Sequence, residues 1–312
     1  ISNDALAILD PLTHRATNLE VPLRVDPDTV PGMIARSMPA PSRFFGEELV
    51  WNDPANPHNP MMDQKGRVWM TSAIRNRANP DYCRDGSDNQ YARYFPLDNG
   101  FRSAVFYDPQ TQEFVMVDTC YGTHHLQFAE DENDTLYFSG GGQVIGWIDT
   151  KLYDETGDEQ LAQGWCPTVL DTNGDGVITK PWNEPARGGQ PPHRDPDLDT
   201  RVVVGSYGVI GDPTDDKAVW ISSNRFPGRL ARLHVGDSPP QTCVTEMYEV
   251  PSVLDPTVPK DKVGFGSRGI DIDRNGVVWT ALSGSSHFAS FDRTKCVVHS
   301  GQTTAEGRHC VD

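Results

Sequence analysis

Apolar and polar residues alternate with a period of two along much of this chain, and long stretches with the 3.6-residue period of a helix are scarce. The alternation comes in a recurring unit. In NPMMDQKGRVWMT (Asn59 to Thr71) an apolar strand runs into an acidic turn at Asp63 and emerges as a second strand carrying Trp69, six residues on. GIDIDRNGVVWTA (Gly269 to Ala281) repeats this with Asp273 and Trp279 at the same spacing. LQFAEDENDTLYFS repeats it with Asp131 and Tyr137, and GVIGDPTDDKAVWIS places Trp220 after a longer acidic turn. Each copy is apolar on both sides of a turn rich in Gly, Asn or Asp, which predicts a β-hairpin between two half-buried strands.

A second hairpin follows. SAVFYDPQTQEFVMVD (Ser103 to Asp118) alternates on both sides of Asp108-Pro109-Gln110-Thr111, and ALAILDPLTHRATNLEVPL (Ala5 to Leu23) has the same shape around Asp10-Pro11. GWIDTK, ending near Asp149, and ASFDRTK, near Asp292, look like further copies of its first strand. Two hairpins per unit make a four-stranded blade, so the expectation is all-β: a single β-propeller domain over residues 1–312, with four recognisable units plus an N-terminal hairpin, in a ring of five to seven blades. The units recur at about 70 residues, beyond the ~40–50 of compact repeats. Loops are therefore inserted, at about residues 72–100 and 150–200. The chain starts on the outer hairpin of one blade and stops soon after the third strand of another. Either the ends meet in one mixed blade or the chain belongs to something longer.

The sequence of a polar or His residue, an apolar strand, an acidic turn and then VWxT or LYFS resembles the blades of streptogramin B lyase and related secreted bacterial propellers. Gluconolactonase and strictosidine-synthase-like propellers are similar more distantly. The likeness runs from His58 to Asp292 and implies an active site at the central axis, where histidines near a divalent ion sit at the starts of innermost strands. The matching positions are His58 and Arg268, each five residues before the turn acid, and His125 if its strand carries one extra residue.

Candidate chemistry follows from these strand starts. His58 in PANPHNP and His124-His125 in YGTHHLQF can hold a transition metal or relay a proton; the plainer reading is turn histidines bonded to backbone. Arg268, flanked by glycines in GFGSRGIDID, can fork onto a carboxylate or enolate, or form a structural salt bridge. Asn224, Arg225 and His287 are weaker candidates for the ligand-binding face. DTNGDGVIT offers oxygens at Asp171, Asn173 and Asp175, a turn at Gly176 and the Val177 carbonyl, the first half of a calcium loop. Its twelfth position is Trp182 rather than Glu, with Glu184 two residues late. A structural calcium there, or a metal-free Asx-turn loop, both fit, and a second divalent ion at the axis is a further expectation.

Composition trims the functional classes. The net charge of −17 repels a phosphate backbone and offers no cationic face to anionic lipid, so neither nucleic acid nor membrane insertion is expected. Six cysteines without a CxxC pair exclude a zinc ribbon and point to disulfides in a secreted or periplasmic protein, with Cys296 and Cys310 spaced for a local staple. No GxSxG, HExxH, P-loop or CxxCH motif is present. The leading expectation is a metal-assisted lyase or hydrolase with an axial pocket of His58, His124, His125 and Arg268. The rivals are a calcium-stabilised module binding a small molecule, glycan or peptide, and a multi-histidine copper redox site.

Overall fold

The computed structural model describes residues 5–26, 29, 46–47, 55–73, 75–100, 102–140, 143–185, 194–250 and 256–301. Each repeat forms an antiparallel sheet. The first blade runs in order β3 (His58–Met62), β4 (Val68–Ala73), β5 (Arg102–Asp108) and β6 (Glu113–Asp118). The second is β7 (Leu126–Phe128), β8 (Thr135–Phe138), β9 (Val144–Asp149) and β10 (Gln163–Pro167). The third is β13 (Ser206–Asp212), β14 (Asp215–Ser223), β15 (Arg229–His234) and β16 (Val244–Glu249). Its outer edge is widened by β11 (Val169–Leu170), parallel to β16, and by β12 (Thr200–Arg201). The fourth has β17 (Ser267–Ile272), β18 (Val277–Leu282) and β19 (His287–Asp292). The hairpin β1 (Ala5–Asp10) and β2 (Arg15–Glu20) forms its own sheet, and Leu6 packs with Met70 and Val105 of the first blade. The innermost strands β3, β7, β13 and β17 lie side by side in that order, as blades of a β-propeller do.

The repeated aromatic explains the stacking. Trp69, Tyr137 and Trp220 are 0%, 3% and 1% exposed because each is packed among residues of the following blade. At about 150–250 Å² per aromatic ring and about 25 cal/mol per Å², each contributes on the order of 4–6 kcal/mol before entropy is counted. The repeated acid explains the turn. Asp63 accepts from the backbone N–H of Lys65 and Arg67 through Oδ1, and from Arg67 Nε and Trp69 Nε1 at 2.6 and 3.0 Å through Oδ2. Asp212 does the same for Trp220 and Arg232, both at 3.0 Å. One buried carboxylate thus closes the hairpin and anchors its ring.

The segment after β4 carries a short helix, α1 (Gln90–Tyr94), and is tied to the end of β6 by the Cys83–Cys120 disulfide. After Asp149 comes α2 (Thr150–Thr156), but β10 then supplies the second blade's outer strand, so the longer insertion begins beyond Pro167. Cys166–Cys243 joins β10 to the residue before β16. Cys296 is also disulfide-bonded, whereas Cys310 lies outside the described residues. No helix among the described residues is long and apolar enough to cross a membrane.

Candidate functional site

Every innermost strand begins irregularly. The register shifts between His58 and Met61, between Ser206 and Val209, and between Ser267 and Ile270. At the second blade the N–H of His124 donates to the Ser139 carbonyl while the Ser139 N–H donates to the His125 carbonyl, so two residues oppose one. A bulge re-aims the side chain it carries, and here it happens where the strands converge. By register it is His124, three residues before the partner of Tyr137, that takes the place His58 holds three residues before the partner of Trp69, and His125 is the next residue along.

His58, His124 and His125 come together. His58 and His124 are stacked with ring centroids 4.8 Å apart and 8° between their planes, and His125 meets both edge-on, at 4.9 and 4.3 Å. One nitrogen from each lies within 4.8 Å of the others. The His58 and His125 Nε2 atoms are buried and have no hydrogen-bond partner. Asn59 Oδ1 accepts the Leu126 N–H at 3.2 Å and lies 3.1 Å from His125 Nδ1. Asn59 therefore presents its carbonyl oxygen, His125 carries its proton on Nδ1, and the lone pair on Nε2 is left facing the cluster. Burial, mutual repulsion and the nearby Arg102 and Arg268 depress the proton affinity of the rings. The His124 and His125 pKa values fall to about 4, desolvation being the main cause, and His58 is lowered for the same reason. Three imidazoles held neutral, two of them with a buried nitrogen that has no partner, suit a borderline metal ion. Bonds of about 2.0–2.1 Å put tetrahedral donors about 3.4 Å apart, within reach of small ring rotations.

Arg268, on the fourth blade, stands one blade beyond Tyr207 of the third. Its Nη2 donates to Tyr207 Oη at 2.8 Å and its guanidinium lies 4.8 Å from the Tyr207 ring, which in turn packs 4.5 Å from His125 and 5.2 Å from His124. Tyr207 precedes Asp212 by five residues, the spacing that marks His58 and Arg268, so the repeat itself held the signal for it. Asn59 and Arg102 are further participants without such a signal. Three hydroxyls hold the site's backbone: Thr71 donates to the His124 carbonyl at 3.2 Å, Ser139 to that of Tyr207, and Ser222 to that of Arg268 at 2.7 Å.

The other candidates lie elsewhere. Asn224 and Arg225 are exposed just beyond β14, with Arg225 against Gly205. His287 opens the third strand of its blade, where Nε2 lies 3.3 Å from the Asp261 carbonyl and Nδ1 is buried without a partner. Asp171, Asn173, Asp175 and Val177 form one tight loop, in which Asp171 accepts from the N–H groups of Gly174, Asp175 and Gly176. Glu184 faces another way, accepting from Trp182 Nε1 at 2.8 Å and from Arg201 at 2.6 Å. A separate cavity of about 700 Å³ is lined by Arg24, Arg75, Arg77, Arg84 and Asp118.

No family model matches the chain, and no curated protein does. Among solved structures, one from Bacteroides uniformis assigned as a 6-phosphogluconolactonase is 12% identical, covering 93% of this chain and 60% of its own, with a TM-score of 0.41. Streptogramin B lyase is 12% identical over 92% of this chain and 86% of its own, with a TM-score of 0.32. A calcium-bound Trichoderma reesei enzyme of carbohydrate-active family AA12 is 11% identical over 75% and 92%, at 0.27. Likenesses this distant say nothing of activity, and the blades stand on their own sheets.

Proposed function

We propose that this chain is a secreted or periplasmic propeller enzyme of hydrolase or lyase type, acting on an anionic small molecule at the propeller axis with the help of a divalent metal ion. The observation that carries the reading is the convergence of His58, His124 and His125, with two buried ring nitrogens left unbonded. A buried polar atom without a partner costs free energy, about 1–3 kcal/mol each, and a metal ion removes that cost for both rings at once. His58, His124 and His125 would hold the ion, which when bound supplies Lewis acidity toward a carbonyl or water oxygen.

The remaining groups deal with the substrate. Within a chain of net charge −17, Arg102 and Arg268, among the described residues, bring positive charge to bear on this site, so the local field favours an anion or developing oxyanion. Arg268 donates to Tyr207 Oη, which leaves the phenol proton to be given to a bound oxygen while the guanidinium keeps donors for a carboxylate. Asn59 fixes the His125 tautomer.

The test is elemental. Protein purified without chelator, or stripped and re-dialysed against zinc, cobalt or manganese, should hold about one ion per chain, and His58→Ala and His125→Ala should each lose it. Wild-type protein holding less than a tenth of an ion under every loading condition would sink the proposal. Copper retained together with visible absorption would move the site to redox chemistry instead. A second reading, a ligand-binding module, draws on the arginine-lined cavity. Arg75, 3% exposed, donates there to the carbonyls of Arg102 and Thr119 and to Asn79 Oδ1. Anion binding abolished by Arg77→Ala but untouched by His58→Ala would favour it.

A further inference from the structure

The loop from Asp171 to Val177 lacks the acidic twelfth ligand of an EF-hand, and Glu184, the nearest acid in sequence, is committed to Arg201 and Trp182. Another carboxylate reaches the loop from across the insertion. Asp199, just before β12, is 1% exposed; its Oδ2 accepts the Thr179 N–H at 3.3 Å, and the Asn173 backbone N–H lies close enough to favour its ionised form. One amide lies within the loop and the other two residues past its end, so the carboxylate sits against it. Its other oxygen, Oδ1, is buried and has no hydrogen-bond partner. Asp171, itself 3% exposed, and Asp175 are close enough to repel it electrostatically.

Three carboxylates thus crowd one loop, one of them buried with an unsatisfied oxygen. Burial of an uncompensated carboxylate is costly, and folding retains it here. We propose that Asp199 completes a hard-cation site with Asp171, Asn173 and Asp175, and that calcium is the ion it takes. The donor set is all oxygen: three carboxylates, the Asn173 side-chain amide and the Val177 carbonyl, with water to complete the shell. Calcium accepts six to eight oxygens in a flexible geometry, whereas magnesium demands an octahedron and keeps its water. The Asp171 hydrogen bonds are compatible with this: Oδ1 accepts from Gly174 and Asp175, but Oδ2 accepts from Gly176 alone and keeps a lone pair for the ion. Gly174 and Gly176, at φ of 82° and 84°, give the backbone the left-handed turns that fold the loop inward. The site joins the insertion's two arms, one leading from β11 and the other into β12, so the ion would fasten the outer edge of the third blade. It has no part in the axial chemistry.

Calorimetric titration of the chelator-treated full chain with calcium chloride tests the assignment. One calcium per chain is expected, with affinity reduced at least tenfold in Asp199→Asn and changed less than twofold in Glu184→Gln. Heating adds a sign that a purely structural carboxylate would not show. Without calcium, Asp199→Asn should melt no lower than wild type, because a buried charge has been removed; with calcium, wild type should gain in Tm and the variant should not. Asp175→Asn, at an exposed position, guards against a folding defect and should also weaken binding at least tenfold. No calcium bound by wild type, Asp199→Asn or Asp175→Asn binding like wild type, or Glu184→Gln as damaging as Asp199→Asn would each overturn the proposal.

Discussion

The Asn59 amide accepts from the Leu126 backbone and from the His125 ring, and by doing so chooses which His125 nitrogen faces the cluster. Partners of this kind typically account for 10–100-fold in metal affinity. Asn59→Leu should therefore weaken zinc or cobalt binding by that order while leaving His58 and His124 in place; a competition titration that finds no change would show that the ring is held by packing alone. The same cluster sets a pH dependence. In the unfolded chain these imidazoles take up protons near 6.5, whereas folded His124 and His125 do so only near 4. Between those values the unfolded state binds more protons, so stability is intact above about pH 6.5 and falls as pH drops toward 4. Metal-free protein should show a urea midpoint that declines over that window, and His124→Gln should flatten the decline. His58 and Arg268 were legible in the sequence because the turn acid fixes the count back to the axis. Tyr207 was equally legible by that count once Asp212 is taken as the acid of its longer turn. Asn59 was not, since its role depends on a contact with the next blade.

Strands turn these residues into a site through two devices repeated from blade to blade. In the first, a hydroxyl two residues after the second-strand aromatic, at Thr71, Ser139 and Ser222, grips the backbone of the next blade's axial residue. The motif endings WMT, YFS and WIS encode it, and the fourth copy, WTA, ends instead in Ala281. Ser222→Ala should cost only about 0.5–1.5 kcal/mol of stability, one neutral hydrogen bond, and should act on function through Arg268: binding of an anionic ligand should weaken without loss of axial metal. Unchanged ligand binding would mean that Tyr207 alone holds the guanidinium. In the second device, Asp212 ties Trp220 to Arg232, with all three nearly buried. Asp212→Ala leaves a buried guanidinium with one fewer anion and should cost about 3–5 kcal/mol, read by urea unfolding; Asp273→Ala should cost much less, because among the described residues the Asp273 carboxylate accepts from the N–H groups of its own turn, at Asn275 and Val277, and from no buried cation. The hairpins were readable because alternation and turn chemistry agree. The bulges that aim His124 and His125 together were not, because a period of two carries no mark for one extra residue.

For the whole molecule, sequence reading captured the order of the blades but not what binds the insertions to them. Cys83–Cys120 and Cys166–Cys243 span 37 and 77 residues, and both tie loop or edge segments to neighbouring strands. In the chain-entropy model, cross-links closing loops of that size stabilise by about 4 kcal/mol each, so reductant should lower the unfolding midpoint markedly. The two flanks of the blade array differ more. At one, Leu6 of the N-terminal hairpin covers Met70 and Val105 of the first blade. At the other, Trp279 is 37% exposed and stacks at 5.4 Å on Phe288, which is 70% exposed, although the matching residues Trp69, Tyr137 and Trp220 are all buried beneath a following blade. The fourth blade's outer face is thus built as an inner face, with Ala281 where the other blades carry their gripping hydroxyl. Trp279 should consequently be reached by acrylamide, a neutral quencher that the chain's negative charge does not repel, while Trp69, Trp165 and Trp220, at 1% exposure or less, should not. Trp279→Phe should remove a large part of the quenchable emission of the 312-residue chain. A variant with the same quenching slope as wild type would mean that this flank is covered in solution by another body.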